Sequence, residues 1–142
     1  MSDEPVLPGE PAGAPTIPPE AEPVLKLWVV LSRAHASILA HAATHVREHG
    51  LSLAEFAILE VLYHRGRMLL GEIQRRILVS SGGITFLVDR LAARKLVVRK
   101  ECPEDRRARY VALTKEGARL IRALFPSHAR ALAHAMRGLS AD

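Results

Sequence analysis

Cysteine is almost missing from this sequence: Cys102 is the single one in 142 residues. A lone thiol excludes an intramolecular disulfide and any paired-cysteine metal knuckle, and it fits a reducing compartment, the cytoplasm. Long uncharged runs are missing too. The longest in the body of the chain, Ala34 to Val46, has 13 residues, contains three histidines and lies between Arg33 and Arg47. A membrane span needs about 20 apolar residues, so none is expected. The start of the chain lacks a positive segment followed by an apolar one, so no secretory signal is expected either. No nucleophile with a base and no pair of opposed carboxylates stands out, so an enzyme is not expected. Glu104 and Asp105 are merely consecutive in a basic stretch. No cofactor is called for.

Aromatic residues make up 4% of the chain, yet 49% is hydrophobic and 25% charged, the composition of a soluble globular domain rather than a disordered chain. The length suits one domain. Proline is concentrated: seven of nine fall in residues 1–23, beside five acids and no lysine or arginine. Such a segment buries too little apolar area to offset chain entropy, and the expectation is an acidic disordered tail ahead of a single domain, 24–142. The net charge of +5 hides a split, because residues 65–109 alone hold 12 basic and 5 acidic residues. A localised basic surface attracts a polyanion, nucleic acid before an acidic membrane.

Apolar spacing predicts a first helix over 24–48, with Leu27, Leu31, Ala34, Ile38, Ala42 and Val46 on its inward stripe. Ser52 with Glu55 forms a capping box for a second helix that buries Phe56, Leu59 and Leu62 and stops near Gly66. Met68 to Leu70 can form a short strand, and 72–78 a short helix with Ile73 and Ile77 inward. Ser80 can cap the next helix, whose inward residues are Ile84, Leu87, Val88 and Leu91. Leu96–Val98 and Tyr110–Leu113 read as two strands of a hairpin with a polar tip. Thr114 caps a last helix, to about Arg137, in which Pro126 introduces a kink.

Two short helices joined by a tight link and followed by a basic hairpin form a winged helix-turn-helix, mainly α with a small β-hairpin wing. The second helix of such a pair enters the DNA major groove. Its outward residues here include Ser81, Gly83, Thr85, Phe86 and Arg90. A small, polar first turn lets backbone amides approach phosphates or base edges. Phe86 either touches a thymine methyl or packs under the wing. Arg75 and Arg76 suit phosphate contacts. Arg106, Arg107 and Arg109 cluster on the hairpin, where an arginine can enter a narrow minor groove, and Asp105 can hold one guanidinium by a forked pair.

Residues 53–125 resemble the MarR family of winged-helix transcriptional regulators. The matching stretches are Leu53 to Leu59, Ser80 to Thr85, Leu87 to Leu91, and Asp105-Arg106-Arg107 running to Leu113-Thr114-Lys115-Glu116-Gly117. The resemblance implies a homodimer with 24–50 and 114–142 as dimerisation helices and 51–113 as the DNA-binding lobe. It implies a pseudo-palindromic operator, usually repressed, and small phenolic ligands that lower DNA affinity. Arg107 falls at the family's wing arginine and Asp105 at its supporting acid; Ser81, Gly83, Thr85 and Arg90 fall on the recognition helix. Phe56 to His64, Ser80 to Thr85, Cys102 to Arg107 and Phe125 to His128 look like the branch responsive to quinones and catechols. Lys95 departs from the family, standing where glycine is usual. Phe86 stands where many members carry a polar residue.

Candidate ligand residues are Trp28, His35, Phe56 and Tyr63, all of which also suit a core or a dimer interface. His41, His45 and His49 form an i, i+4, i+8 stripe that could bind zinc or nickel with help from His35, His128 or His134, which leaves a metal-responsive regulator as an alternative. A winged-helix module that binds protein rather than DNA is another. Cys102 is either a redox sensor or a packed residue at the base of the wing.

Overall fold

The computed structural model describes residues 17–77, 81–102 and 108–138. By internal contacts the chain divides into two units, 1–36 and 37–142, with the boundary inside the first helix.

That helix, α1, spans Glu22–Arg47. In the first unit it is bare. Leu27 and Leu31, expected to face inward, are each 57% exposed, and Val24, Trp28 and Val30 are exposed around them. The expectation of a buried stripe therefore holds only in the second unit, where Ala42 and Val46 are buried. By length and composition α1 is long and apolar enough to cross a membrane, because Lys26 and Arg33 interrupt the apolar residues without outnumbering them.

In the second unit, Gly50 ends α1 with a left-handed turn (φ +70°). The Leu51 N–H donates to the Val46 carbonyl and the Gly50 N–H to that of Arg47, a Schellman closure. Helix α2, Leu53–Arg65, starts with the expected capping box: Ser52 Oγ accepts from the Glu55 N–H at 3.1 Å, and the Ser52 N–H donates to Glu55 Oε2 at 2.7 Å. Strand β1, Met68–Leu69, precedes α3, Leu70–Ile77. Helix α3 begins two residues earlier than expected because Glu72 Oε2 accepts the Leu69 N–H at 3.0 Å and satisfies the helix start.

Helix α4, Ser81–Ala93, is followed by strands β2, Val97–Glu101, and β3, Arg109–Leu113. Strand β2 begins after Leu96 rather than at it. Lys95 adopts φ +60°, and the Leu96 N–H turns back to the Leu91 carbonyl while that of Lys95 bonds Ala92. The same closure that Gly50 makes is thus made by a lysine, at a cost of about 1–2 kcal/mol against glycine. The sheet is antiparallel in the order β1-β3-β2, with Met68 opposite Val111 and Val97 opposite Leu113.

Helix α5, Lys115–Ala135, runs through Pro126. Its cap does double duty. Thr114 Oγ1 accepts from the Gly117 N–H at 3.0 Å and donates to the Lys95 carbonyl at 2.6 Å. The approach is so close that a Cβ on Gly117 would overlap the Leu96 carbonyl oxygen. The core joins all these elements: Val46, Phe56, Leu59, Ile73, Ile84, Val88, Leu91, Val111 and Ile121 form one buried cluster.

Candidate nucleic-acid interface

The apolar face of α4 is fixed by Ile84, Val88 and Leu91, all buried in that core. Its opposite face therefore has to look outward. Thr85, Asp89, Arg90 and Arg94 are exposed, and Phe86 is 60% exposed. Gly83 is half-buried. Among the described residues the Phe86 ring stands bare beside the Arg90 guanidinium.

Three arginines near this face hold specific partners. Arg90 Nε lies 3.3 Å from Glu55 Oε1, and its guanidinium carbon is 5.7 Å from the centre of the Phe86 ring. Arg94 donates to the Gly50 carbonyl at 2.7 Å. Arg99 of β2 reaches Asp89 Oδ1 at 3.0 Å and the Thr85 carbonyl at 3.2 Å. None of these long-range pairs was legible in the sequence. Glu55 announced itself only as a capping residue, yet its side chain is wholly buried.

Helix α3 presents Arg75 and Arg76 to solvent, and neither holds an ion pair among the described residues. Arg75 shares a cleft of about 350 Å³ with Arg109 of β3 and with Glu72. Lys100 is exposed on β2, and Arg109 pairs with Glu101 at 3.4 Å. Exposed basic side chains thus stand on α3 and on the wing strands, with Arg99 of β2 against α4 itself, residue types that suit phosphates. Ser80, Asp105, Arg106 and Arg107, together with the side chain of Ser81, lie outside the described residues. Cys102 is buried at the base of the hairpin, where its N–H bonds the Ala108 carbonyl at 3.4 Å.

The candidate ligand residues divide between the two units. Phe56 lies in the core, its ring 4.3 Å from that of His128. Tyr63 is on the surface, edge-on to His64. Trp28 and His35 belong to the other unit and are exposed there. A hollow of about 680 Å³ is lined by the other face of α2 (Leu53, Ala54, Ala57, Glu60, Val61, His64 and Arg65) with Arg76 and Ile77 of α3. Small residues at Ala54 and Ala57 were its sequence signal; weighing aromatics alone missed it.

Two rings of the histidine stripe bond back to their own helix: His41 Nδ1 donates to the Ser37 carbonyl at 2.8 Å and His49 Nδ1 to that of His45 at 3.1 Å. Among the described residues no group of three or more potential ligands is placed to hold a metal. His45 instead turns toward His128 of α5, 5.6 Å between ring centres. Burial, and secondarily His45, push the His128 imidazole below its ordinary pKa.

A helix pair with its second member bare and polar on one side, next to a three-stranded wing, defines a winged helix-turn-helix DNA-binding protein. The comparisons with known proteins agree. Residues 49–108 match the MarR family. The chain is 46% identical over 108 residues to the HTH-type transcriptional regulator MhqR of Bacillus subtilis, covering 76% of this chain and 74% of that one. Among solved structures it is similar to Sco3205 of Streptomyces coelicolor, a MarR family transcriptional regulator in complex with DNA (TM-score 0.79, 23% identity, 92% of this chain and 82% of that one). It is also similar to Bordetella bronchiseptica BpsR, described for the regulation of its DNA binding by 6-hydroxynicotinic acid (TM-score 0.74, 25% identity, 82% and 88%). The chain belongs to the MarR family of DNA-binding transcriptional regulators, and it is not an enzyme.

Proposed function

We propose that the protein is a cytoplasmic homodimeric repressor that binds a pseudo-palindromic operator and is released by a small phenolic or quinone-type ligand. The observation that carries this reading is the bare first half of α1. Leu27, Trp28, Val30 and Leu31 form an apolar surface too large for a lone soluble chain, and a second copy of the same helix is its natural cover. In that reading residues 24–50 and 114–142 dimerise, 51–113 bind DNA, and the acidic residues 1–23 stand apart.

Each protomer would place α4 in a major groove, with Ser80, Ser81, Gly83, Thr85 and Phe86 nearest the bases and Arg75 on a phosphate. Arg106 and Arg107, steadied by Asp105, would reach the neighbouring minor groove. The effector would enter the hollow beside α2. Leu53, Val61 and Ile77 give it apolar walls, and Arg65, Arg76 and His64 suit a phenolate oxygen. Because Arg76 lies on α3, a ligand held there acts directly on the helix that braces α4.

The test is selection of binding sites from random duplex DNA, with the oligomeric state measured by light scattering. A palindrome with half-sites about 10 base pairs apart establishes a symmetric dimer in successive major grooves. Phenols and quinones are then titrated against that duplex, with an Arg76→Ala variant beside the wild type. A monomer in solution, or a selected site with no symmetry, overturns the dimer. Release by no aromatic compound overturns the effector.

A further inference from the structure

Arg90 stands on the recognition helix, exposed along half its side chain, in the place of a base-reading residue. Its partner says otherwise. Glu55 is fully buried; Oε2 is taken by the Ser52 N–H, and Oε1 has no hydrogen bond among the described residues, leaving the Arg90 guanidinium at 3.3 Å as its counter-charge there. A buried carboxylate stripped of its cation is strongly unfavourable, so Arg90 is held toward α2. Only its Nε faces Glu55, and swinging the guanidinium away onto a guanine would give up that charge pair. The adjacent residue is held from the other side: Asp89 pairs with Arg99 of the wing strand, and Arg99 also donates to the Thr85 carbonyl.

We infer that Arg90 is a positioning residue: through Glu55 it sets the angle at which α4 enters the major groove, while Asp89 and Arg99 set the same helix against the wing. Base reading then falls to the first turns of α4, Phe86 among them. A helix set at the wrong angle loses its base contacts. It keeps its phosphate attraction, which supplies non-specific binding and the salt dependence.

The experiment uses the full chain, a duplex selected by the wild type and a scrambled duplex of equal length. Arg90→Gln, Glu55→Gln and the double variant are compared across salt, well below the melting temperature. Glu55→Gln keeps a carbonyl acceptor for the Ser52 N–H and leaves Arg90 in place. The expected result is a loss of about tenfold on the selected duplex for each single variant, the size of one lost base contact. The scrambled duplex and the salt slope should be unchanged, and the double variant no weaker than the weaker single one. Asp89→Asn, on an exposed pair that the fold tolerates losing, gives an independent reading. It removes a negative charge from the DNA-facing side, so charge alone predicts tighter binding, whereas positioning predicts weaker binding to the selected duplex.

Two results overturn the inference. In the first, Arg90→Gln weakens both duplexes and lowers the salt slope by about one, while Glu55→Gln binds as wild type; Arg90 then touches a phosphate. In the second, the melting temperature falls but binding of the selected duplex does not change, and the pair merely holds the fold together.

Discussion

The two halves of α1 carry one apolar stripe and meet opposite fates. Ala42 and Val46 are 4% and 0% exposed, while Leu27 and Leu31, on the same face of the same helix, are each 57% exposed. Spacing along a helix says which side wants to leave water. It does not say what is there to receive it. In the second unit α2, α5 and the sheet supply a core; in the first, no surface among the described residues receives it.

The largest effect expected is in the core that receives the second half of α1. Leu59→Ala removes a fully buried side chain from the common core and should cost about 2–5 kcal/mol in chemical denaturation. Leu31→Glu should leave that midpoint almost unmoved and instead turn dimers into monomers, read by analytical ultracentrifugation. If Leu31→Glu unfolds the winged helix as Leu59→Ala does, the first half of α1 belongs to the same core as the second and the comparison fails.

A smaller effect sharpens the boundary between the halves. His128 sits where α1, α2 and α5 meet, facing Phe56 and His45, with His49 beyond. Its pKa is lowered by folding, chiefly by burial. The unfolded chain therefore takes up a proton near the ordinary value of 6.5 while the folded chain stays neutral. Stability contributed by the neutral ring is complete above that pH and is lost as pH falls toward the folded value. Denaturation midpoints should drop below pH 6.5 in the wild type and flatten in His128→Asn; a wild-type curve with no slope there contradicts the burial. The smallest effect expected lies far from α1. Lys95→Gly relieves the left-handed lysine and should raise stability by about 1 kcal/mol, visible as a shift in melting temperature of the winged helix alone.

Local chemistry was legible in the sequence. The capping box at Ser52 and Glu55, the inward residues of α4 and the two strands of the hairpin all follow from neighbours within a few positions, and the structure has them. Even the left-handed backbone at Lys95 was visible, as a lysine at a family glycine position. What escaped were pairings across sequence. Arg94 with Gly50, Arg90 with Glu55 and Arg99 with Asp89 join separate elements, and no periodicity reports them. A charged residue on an outward helix face reads the same whether it meets DNA or a buried carboxylate. The hollow beside α2 escaped for a related reason, being defined by small side chains on two helices rather than by any one residue's chemistry.

The bare stretch of α1 also has a history during synthesis. It leaves the ribosome before any part of the winged helix exists, and chains fold largely in the order they are made. In the proposed dimer its covering surface is the same stretch of another chain, so a segment made before the winged helix is sheltered after it. Two ribosomes on one message hold such segments close together at the moment each needs the other. Pairing during translation would then favour partners from a single transcript over partners met later by diffusion.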